Sequence, residues 1–239
     1  MAMTGFRLIK IQFILSLLIS IFLISACKKE DAKFAGEKPG QIPGLGNMPG
    51  SPEGSLFLLP SGVHLKGDIV GQEDGPSSRD CIFDGQGFFV TVKITLQRDS
   101  ISTGPVEVVF PPGLIITSAS EGFQHGLLVE RVVVTIPPVQ PGPGGNECQV
   151  SLLLFCLNSG KSPSDATAKY KLGPITSSPL IKDFIDKLSG KKINYRDFES
   201  TDPTWFENQE RLQDALWNIT NGDGLTEQDK ENIAALPDR

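Results

Sequence analysis

Val90-Thr91-Val92-Lys93-Ile94-Thr95-Leu96 alternates apolar and polar residues along its whole length. Successive side chains of a strand point to opposite faces, so this run predicts a half-buried β-strand. Outward from it lie further β-branched runs, Val106 to Phe110, Leu114 to Thr117 and Leu127 to Ile136. Pro111-Pro112-Gly113, Pro137-Pro138 and Pro141-Gly142-Pro143-Gly144-Gly145 break the chain around them. Val150 to Leu157 is apolar on both faces, which predicts a central strand covered on either side. Short strands at this spacing predict a sandwich or a barrel.

Beyond about residue 175 the apolar period becomes helical. Ser178 suits an N-cap, Pro179 the first turn and Gly190 the position after the end. Between them Leu180, Ile181, Phe184, Ile185 and Leu188 form one stripe. A second helix is expected from about Asp202-Pro203 to Ile219. A third begins at Thr226, with Asp229 at capping-box spacing. Strands first and helices after predict an α+β fold, a β-sandwich or barrel-like part followed by a small helical part. Val106 to Ser120 weakly resembles the strand-turn-strand of immunoglobulin-like repeats on bacterial surfaces.

The N-terminus carries a different signal. Arg7 and Lys10 precede an apolar stretch from Ile11 to Ile24, and Ile24-Ser25-Ala26-Cys27 follows. A charged start, an apolar core and small residues at a cut describe a secretory signal. The stretch is shorter than the roughly 20 residues a spanning helix needs. The cysteine at the cut resembles a lipobox, which implies a bacterial lipoprotein acylated on Cys27 and held to a membrane by its acyl chains. Lys28-Lys29-Glu30-Asp31 resembles the surface-export signal of lipoproteins in some Gram-negative groups, which implies an outer-membrane protein displayed at the cell surface. Residues 1–26 are thus expected to be signal peptide and 27–54 a lipidated, Gly/Pro-rich tether unable to build a core. A β-sandwich-like region over 55–145 and a helix-bearing region over 146–239 follow.

Charge and motifs exclude several functions. The chain has net charge −6, and removing the signal takes away two positive charges and no negative ones. Such a protein is a poor nucleic-acid binder, because phosphate contacts need clustered Lys and Arg. There is no HExxH, no paired Cys-x-x-Cys, no phosphate loop and no Gly-x-Ser-x-Gly elbow. Asn221-Gly222-Asp223-Gly224 lacks the acid a calcium loop wants at Ile219, and reads as a helix end. No metal, cofactor or conventional enzymatic site is expected.

Two segments carry a sharper signal, Phe155-Cys156-Leu157-Asn158 and the helix Leu212-Gln213-Asp214-Ala215-Leu216-Trp217-Asn218-Ile219-Thr220-Asn221-Gly222. Gln213 falls at the edge of the stripe made by Leu212, Leu216 and Ile219. A buried amide costs a few kcal/mol unless it is paired, so some group must meet it. Taken singly, it fits a hydrogen bond to a loop carbonyl, and Cys156 fits a small buried hydrophobe. With Cys27 acylated, Cys81, Cys148 and Cys156 remain, either one disulfide plus one thiol or three thiols.

Together the two segments resemble the thioester domains of bacterial surface adhesins. In that family a cysteine follows an aromatic residue or Leu, and a later helix carries Gln, Ala, an aliphatic residue and Trp before a polar turn. Phe155-Cys156-Leu157 matches the first motif. Leu212-Gln213 with Ala215, Leu216, Trp217, Thr220, Asn221 and Gly222 matches the second. The resemblance covers roughly residues 150 to 230 and makes 146–239 a thioester-domain-like region. It implies a bond between the Cys156 sulfur and the Gln213 side-chain carbonyl, walled by Phe155, Leu216 and Trp217. A lysine amine on a surface protein or other amine-bearing partner would attack it once, without turnover. It also leaves Cys81 and Cys148 to pair. A Cys148–Cys156 bridge competes, but eight residues of straight strand span about 26 Å.

Overall fold

The computed structural model describes residues 36–73, 80–99, 104–138, 145–198 and 203–239. The expected signal peptide and Cys27 lie outside the described residues. Among those that are described, no helix is long and apolar enough to cross a membrane.

The alternating run is strand β5 (Val90–Arg98), with Val90, Val92, Ile94 and Leu96 fully buried and the residues between them half-buried. It lies antiparallel to β10 (Glu147–Cys156), whose residues from Val150 onward are all buried. Six strands close a barrel. From β10 it runs through β5, β3 (Ile69–Gly71), β11 (Lys169–Thr176), β7 (Leu114–Ser118) and β8 (Gly126–Leu127), and β8 returns to β10. β4 (Asp80–Gly85) runs parallel to β10, β2 (Val63–Leu65) pairs with β5, and β1 (Gly54–Leu56) pairs with β11. A separate ribbon, β6 (Val106–Phe110) with β9 (Val132–Ile136), packs its buried side chains into the same core.

The helices begin and end where the caps require. Helix α1 (Pro179–Leu188) is capped by the Ser178 hydroxyl, which accepts from the Ile181 N–H. Helix α2 (Pro203–Thr220) carries Gln213. Helix α3 (Glu227–Ala234) starts with the full Thr226/Asp229 capping box. The fold is therefore α+β, a barrel followed by three helices.

One expectation needs correction. Leu127 to Ile136 is not one strand. The buried Gln86 side chain accepts from the Val129 and Glu130 N–H groups and interrupts it. Val106 to Ser120 does run strand, turn, strand, with β6 in the ribbon and β7 in the barrel. The regions 55–145 and 146–239 belong to one body, because β10 pairs with both β4 and β5 and residues Glu37–Arg239 form one compact unit.

The expected tether differs as well, for its residues from Glu37 onward pack as a strap. Ile42 and Leu45 are buried. The Gly40 N–H donates to the Ile219 carbonyl at 2.9 Å and the Gly46 N–H to the Leu157 carbonyl at 2.9 Å. One Glu37 carboxylate oxygen accepts from the Ser178 hydroxyl (2.7 Å) and the Leu180 N–H (3.2 Å), at the positive end of α1. Composition misleads here because two apolar side chains need no core of their own when a finished surface receives them.

Cys81 and Cys148 form a disulfide that ties β4 to β10 across 67 residues of sequence, with Cα atoms 5.6 Å apart. Cys148 and Cys156 are the second and last residues of one strand, which excludes the competing bridge. Replacing Cys81 and Cys148 together by alanine is expected to cost roughly 2–4 kcal/mol. A lowered urea midpoint, matched by reduced wild-type protein, checks this.

Candidate functional site

Cys156 is fully buried and its thiol is free. Its side chain shares one face of β10 with Cys148, Val150, Leu152 and Leu154, in the barrel core. Along β10, odd-numbered residues bond toward β4 and β8. The Leu153 carbonyl accepts from the Gln86 N–H, and the Leu157 N–H donates to the His125 carbonyl. Strand groups alternate in direction, so the Cys156 N–H and carbonyl face the other edge. There β5 has ended, since Val90 pairs with Leu154.

Gln213 fills that place. It is 1% exposed. Its Oε1 accepts from the Cys156 N–H at 2.8 Å, and its Nε2 donates to the Cys156 carbonyl at 2.8 Å. The carboxamide thus completes the ladder as one more strand residue would, and satisfies groups that burial would otherwise leave orphaned. The partner is the backbone of the very cysteine that the second motif resemblance pairs with it, not a loop carbonyl.

One turn later on α2, Trp217 lies in the same column. Its indole N–H donates to Cys156 Sγ at 3.3 Å, and the Asn158 N–H donates to the same sulfur at 3.3 Å. One of the other two expected wall residues lies elsewhere. Phe155 points to the opposite face of β10, where its ring meets Phe184 of α1 edge-on. Leu216 is fully buried on α2, beside Trp217 in the chain. Phe89, packed on Trp217 with ring centres 5.5 Å apart, supplies cover that the sequence did not suggest.

Three further residues complete the surroundings. The Asn158 side chain accepts from the His125 N–H at 3.0 Å and donates to the Gly46 carbonyl at 2.9 Å, clamping the strap beside the sulfur. His125 Nδ1 accepts from the Ser118 N–H at 2.9 Å. Tyr170 is buried in the same core cluster as Cys156, and its hydroxyl has no hydrogen-bond partner among the described residues. The pleat places Tyr170 inward, but only the strand order shows that it shares the barrel with Cys156.

Burial pushes the Cys156 thiol up to about 11, against the two N–H donors and Lys161, which pull it down. The sulfur therefore rests as a neutral thiol at neutral pH. Burial, with Lys161, holds His125 down at about 4. An unfolded histidine titrates near 6.5, so between these values the unfolded chain binds more protons and stability falls as the pH drops. The effect is on the order of 2 kcal/mol, discounted for partial exposure. Replacing His125 by asparagine, which keeps an acceptor for Ser118, is expected to reduce the stability lost between pH 7 and 4.5. Urea unfolding of both proteins at both pH values checks it.

The fold and site define a closed β-barrel in which strand β10 ends in a thiol and is finished by a glutamine from a later helix. No known protein family model, characterised protein or solved structure matches the chain.

Proposed function

We propose that this is an exported, lipid-anchored surface protein that captures an amine-bearing partner through an internal Cys156–Gln213 thioester. The observation that carries this is the two-point contact between the Gln213 carboxamide and the Cys156 backbone, with Trp217 of the same helix on the sulfur. The N-terminal lipobox pattern supports the export and the anchoring, with Cys27 the acylated residue and a bacterial outer membrane the site.

The chemistry balances within these residues. The Cys156 sulfur adds to the Gln213 side-chain carbon, and the Cys156 N–H supports the oxygen as it gains charge. The thiol proton passes to the amide nitrogen, the C–N bond breaks and ammonia leaves. An acyl group on sulfur is an activated electrophile. A partner's amine, a lysine side chain of a surface protein for example, then forms a new C–N bond as the C–S bond breaks, and the sulfur regains a proton. Each molecule acts once, so it is not an enzyme, and no cofactor or metal enters the scheme.

A second reading has its own support. Gln213 is fully occupied in finishing the strand, and Cys156 rests protonated. On that account the protein is a lipid-tethered structural or non-covalent binding module. Incubation with a fluorescent primary amine separates the two. The proposal expects one label per molecule, mapped to the Gln213 peptide and absent from a Cys156→Ala protein. No labelling of fresh protein would favour the second reading.

A further inference from the structure

This inference rests on the proposed thioester and concerns the kind of partner it takes. An amine must reach the Gln213 side-chain carbon, and the site is closed on most sides. Cys156 is 0% exposed, Gln213 1% and Asn158 1%. Of the two residues that donate to the sulfur, Asn158 is clamped to the strap, whereas Trp217 is only half-buried. The way in therefore passes Trp217.

Trp217 is the inner end of a line of rings. Phe89 packs on it with ring centres 5.5 Å apart, Phe88 stacks on Phe89 at 4.3 Å, and Phe206 meets Phe88 edge-on at 6.0 Å. Phe88 and Phe89 are half-buried, and Phe206 is 51% exposed. A single exposed apolar side chain is ordinary. Four rings in contact, starting in water and ending on a buried sulfur, form a surface that a partner's apolar side chains can cover.

The border of that line is negative. Phe206, Gln213 and Trp217 share one column of α2, since residues seven and eleven apart nearly align. Glu210 and Asp214 follow Phe206 at one and two turns, flank the column on its outer side and are exposed. The one cation of α2, Arg211, lies farther round the helix. Carboxylates beside an apolar strip complement a cation carried among apolar residues.

We propose that the Phe206–Phe88–Phe89–Trp217 line is the docking face of the partner, and that the partner is a protein segment with a lysine set between aromatic or aliphatic residues. The apolar side chains lie on Phe206 and Phe88, and Glu210 and Asp214 draw the ammonium group toward Trp217. There it gives one proton to water. The neutral amine bonds to the Gln213 carbonyl carbon, the C–S bond breaks, and a second amine proton passes to the sulfur.

The test uses the mature lipoprotein in phosphatidylcholine vesicles and three capped peptides, Phe-Gly-Lys-Gly-Phe, Ser-Gly-Lys-Gly-Ser and Phe-Asp-Lys-Asp-Phe. Each rate of adduct formation, read by intact mass, is divided by the rate of hydroxylamine on the same protein. The first peptide is expected to react roughly tenfold faster than the second, and Phe206→Ser to remove most of that preference. Wild type should favour the first peptide over the third, and Glu210→Lys/Asp214→Lys should reverse that order, which a packing defect would not do. Equal rates for the Phe and Ser peptides overturn the proposal, whether a second copy or the lipid surface then proves to cover the face. So does a charge preference that survives the double reversal. In both cases reaction with hydroxylamine leaves the thioester standing. Protein that forms no hydroxylamine adduct and shows no mass deficit has no thioester, and the docking face then leads to nothing.

Discussion

Gln213→Ala is expected to be the most damaging single substitution in the barrel, at about 3–5 kcal/mol. The change strips partners from both the N–H and the carbonyl of Cys156, at a residue with no access to water. Each buried orphan costs roughly 1–3 kcal/mol, and the lost side chain adds a cavity. Gln213→Glu gives a sharper test. A protonated glutamic acid keeps one donor and one acceptor, and so preserves both bonds. An ionised one cannot donate to the Cys156 carbonyl, and it buries a charge. Its folded pKa must then lie above the unfolded value near 4.3, so its stability falls as the pH rises past that value. Urea unfolding at pH 4.5 and 8, with both proteins carrying Cys156→Ala so that no thioester can form, should show Gln213→Glu close to its Gln213 parent at the lower pH and far below it at the higher. Equal losses at both would mean that the carboxamide is not finishing the strand.

Gly46→Val is expected to release the strap at a cost of about 2–4 kcal/mol. Gly46 has φ of +58°, and an added Cβ would overlap the Thr220 carbonyl oxygen. Both the conformation and the space therefore forbid a β-branched residue. Once the strap lifts, Ile42 and Leu45 return to water, at roughly 1.5–3 kcal/mol each. The freed entropy of the strap offsets part of this. The Asn158 side chain also loses its acceptor, the Gly46 carbonyl. The melting midpoint should drop by about 5–10 °C, with new protease cuts within residues 37–53. An unchanged midpoint and no new cuts would show that the strap does not hold the fold. Because Asn158 also binds the sulfur through its N–H, the same variant should react faster with an added amine if the strap screens the site.

Much of this was legible in sequence, for reasons that particular residues make plain. The period of two in Val90 to Leu96 and the apolar run from Val150 locate the two strands that carry the core. Ser178, Pro179, Thr226 and Asp229 mark helix starts because capping is local chemistry. The Cys156 and Gln213 motifs lie 57 residues apart in the chain, yet the backbone of one meets the side chain of the other. The strap was hidden, because its partners Leu157, Ser178 and Ile219 are far away and its own composition reads as loop. Phe155 was misplaced by proximity in sequence, since neighbours on a strand face opposite ways. Tyr170 is marked only by lying between the two motifs, and His125 bears no local mark at all. Only barrel closure brings their strands around to the sulfur.

The most direct measurement is the intact mass of residues 28–239, purified without exposure to amines, beside the same chain with Cys156→Ala. The account predicts a wild type lighter than its calculated mass by one ammonia, beyond the two hydrogens of the Cys81–Cys148 disulfide. It also predicts that methylamine removes the deficit by addition, and that the alanine variant shows none. A wild type at its full calculated mass apart from the disulfide, with a Cys156 thiol that alkylates on unfolding, would contradict it.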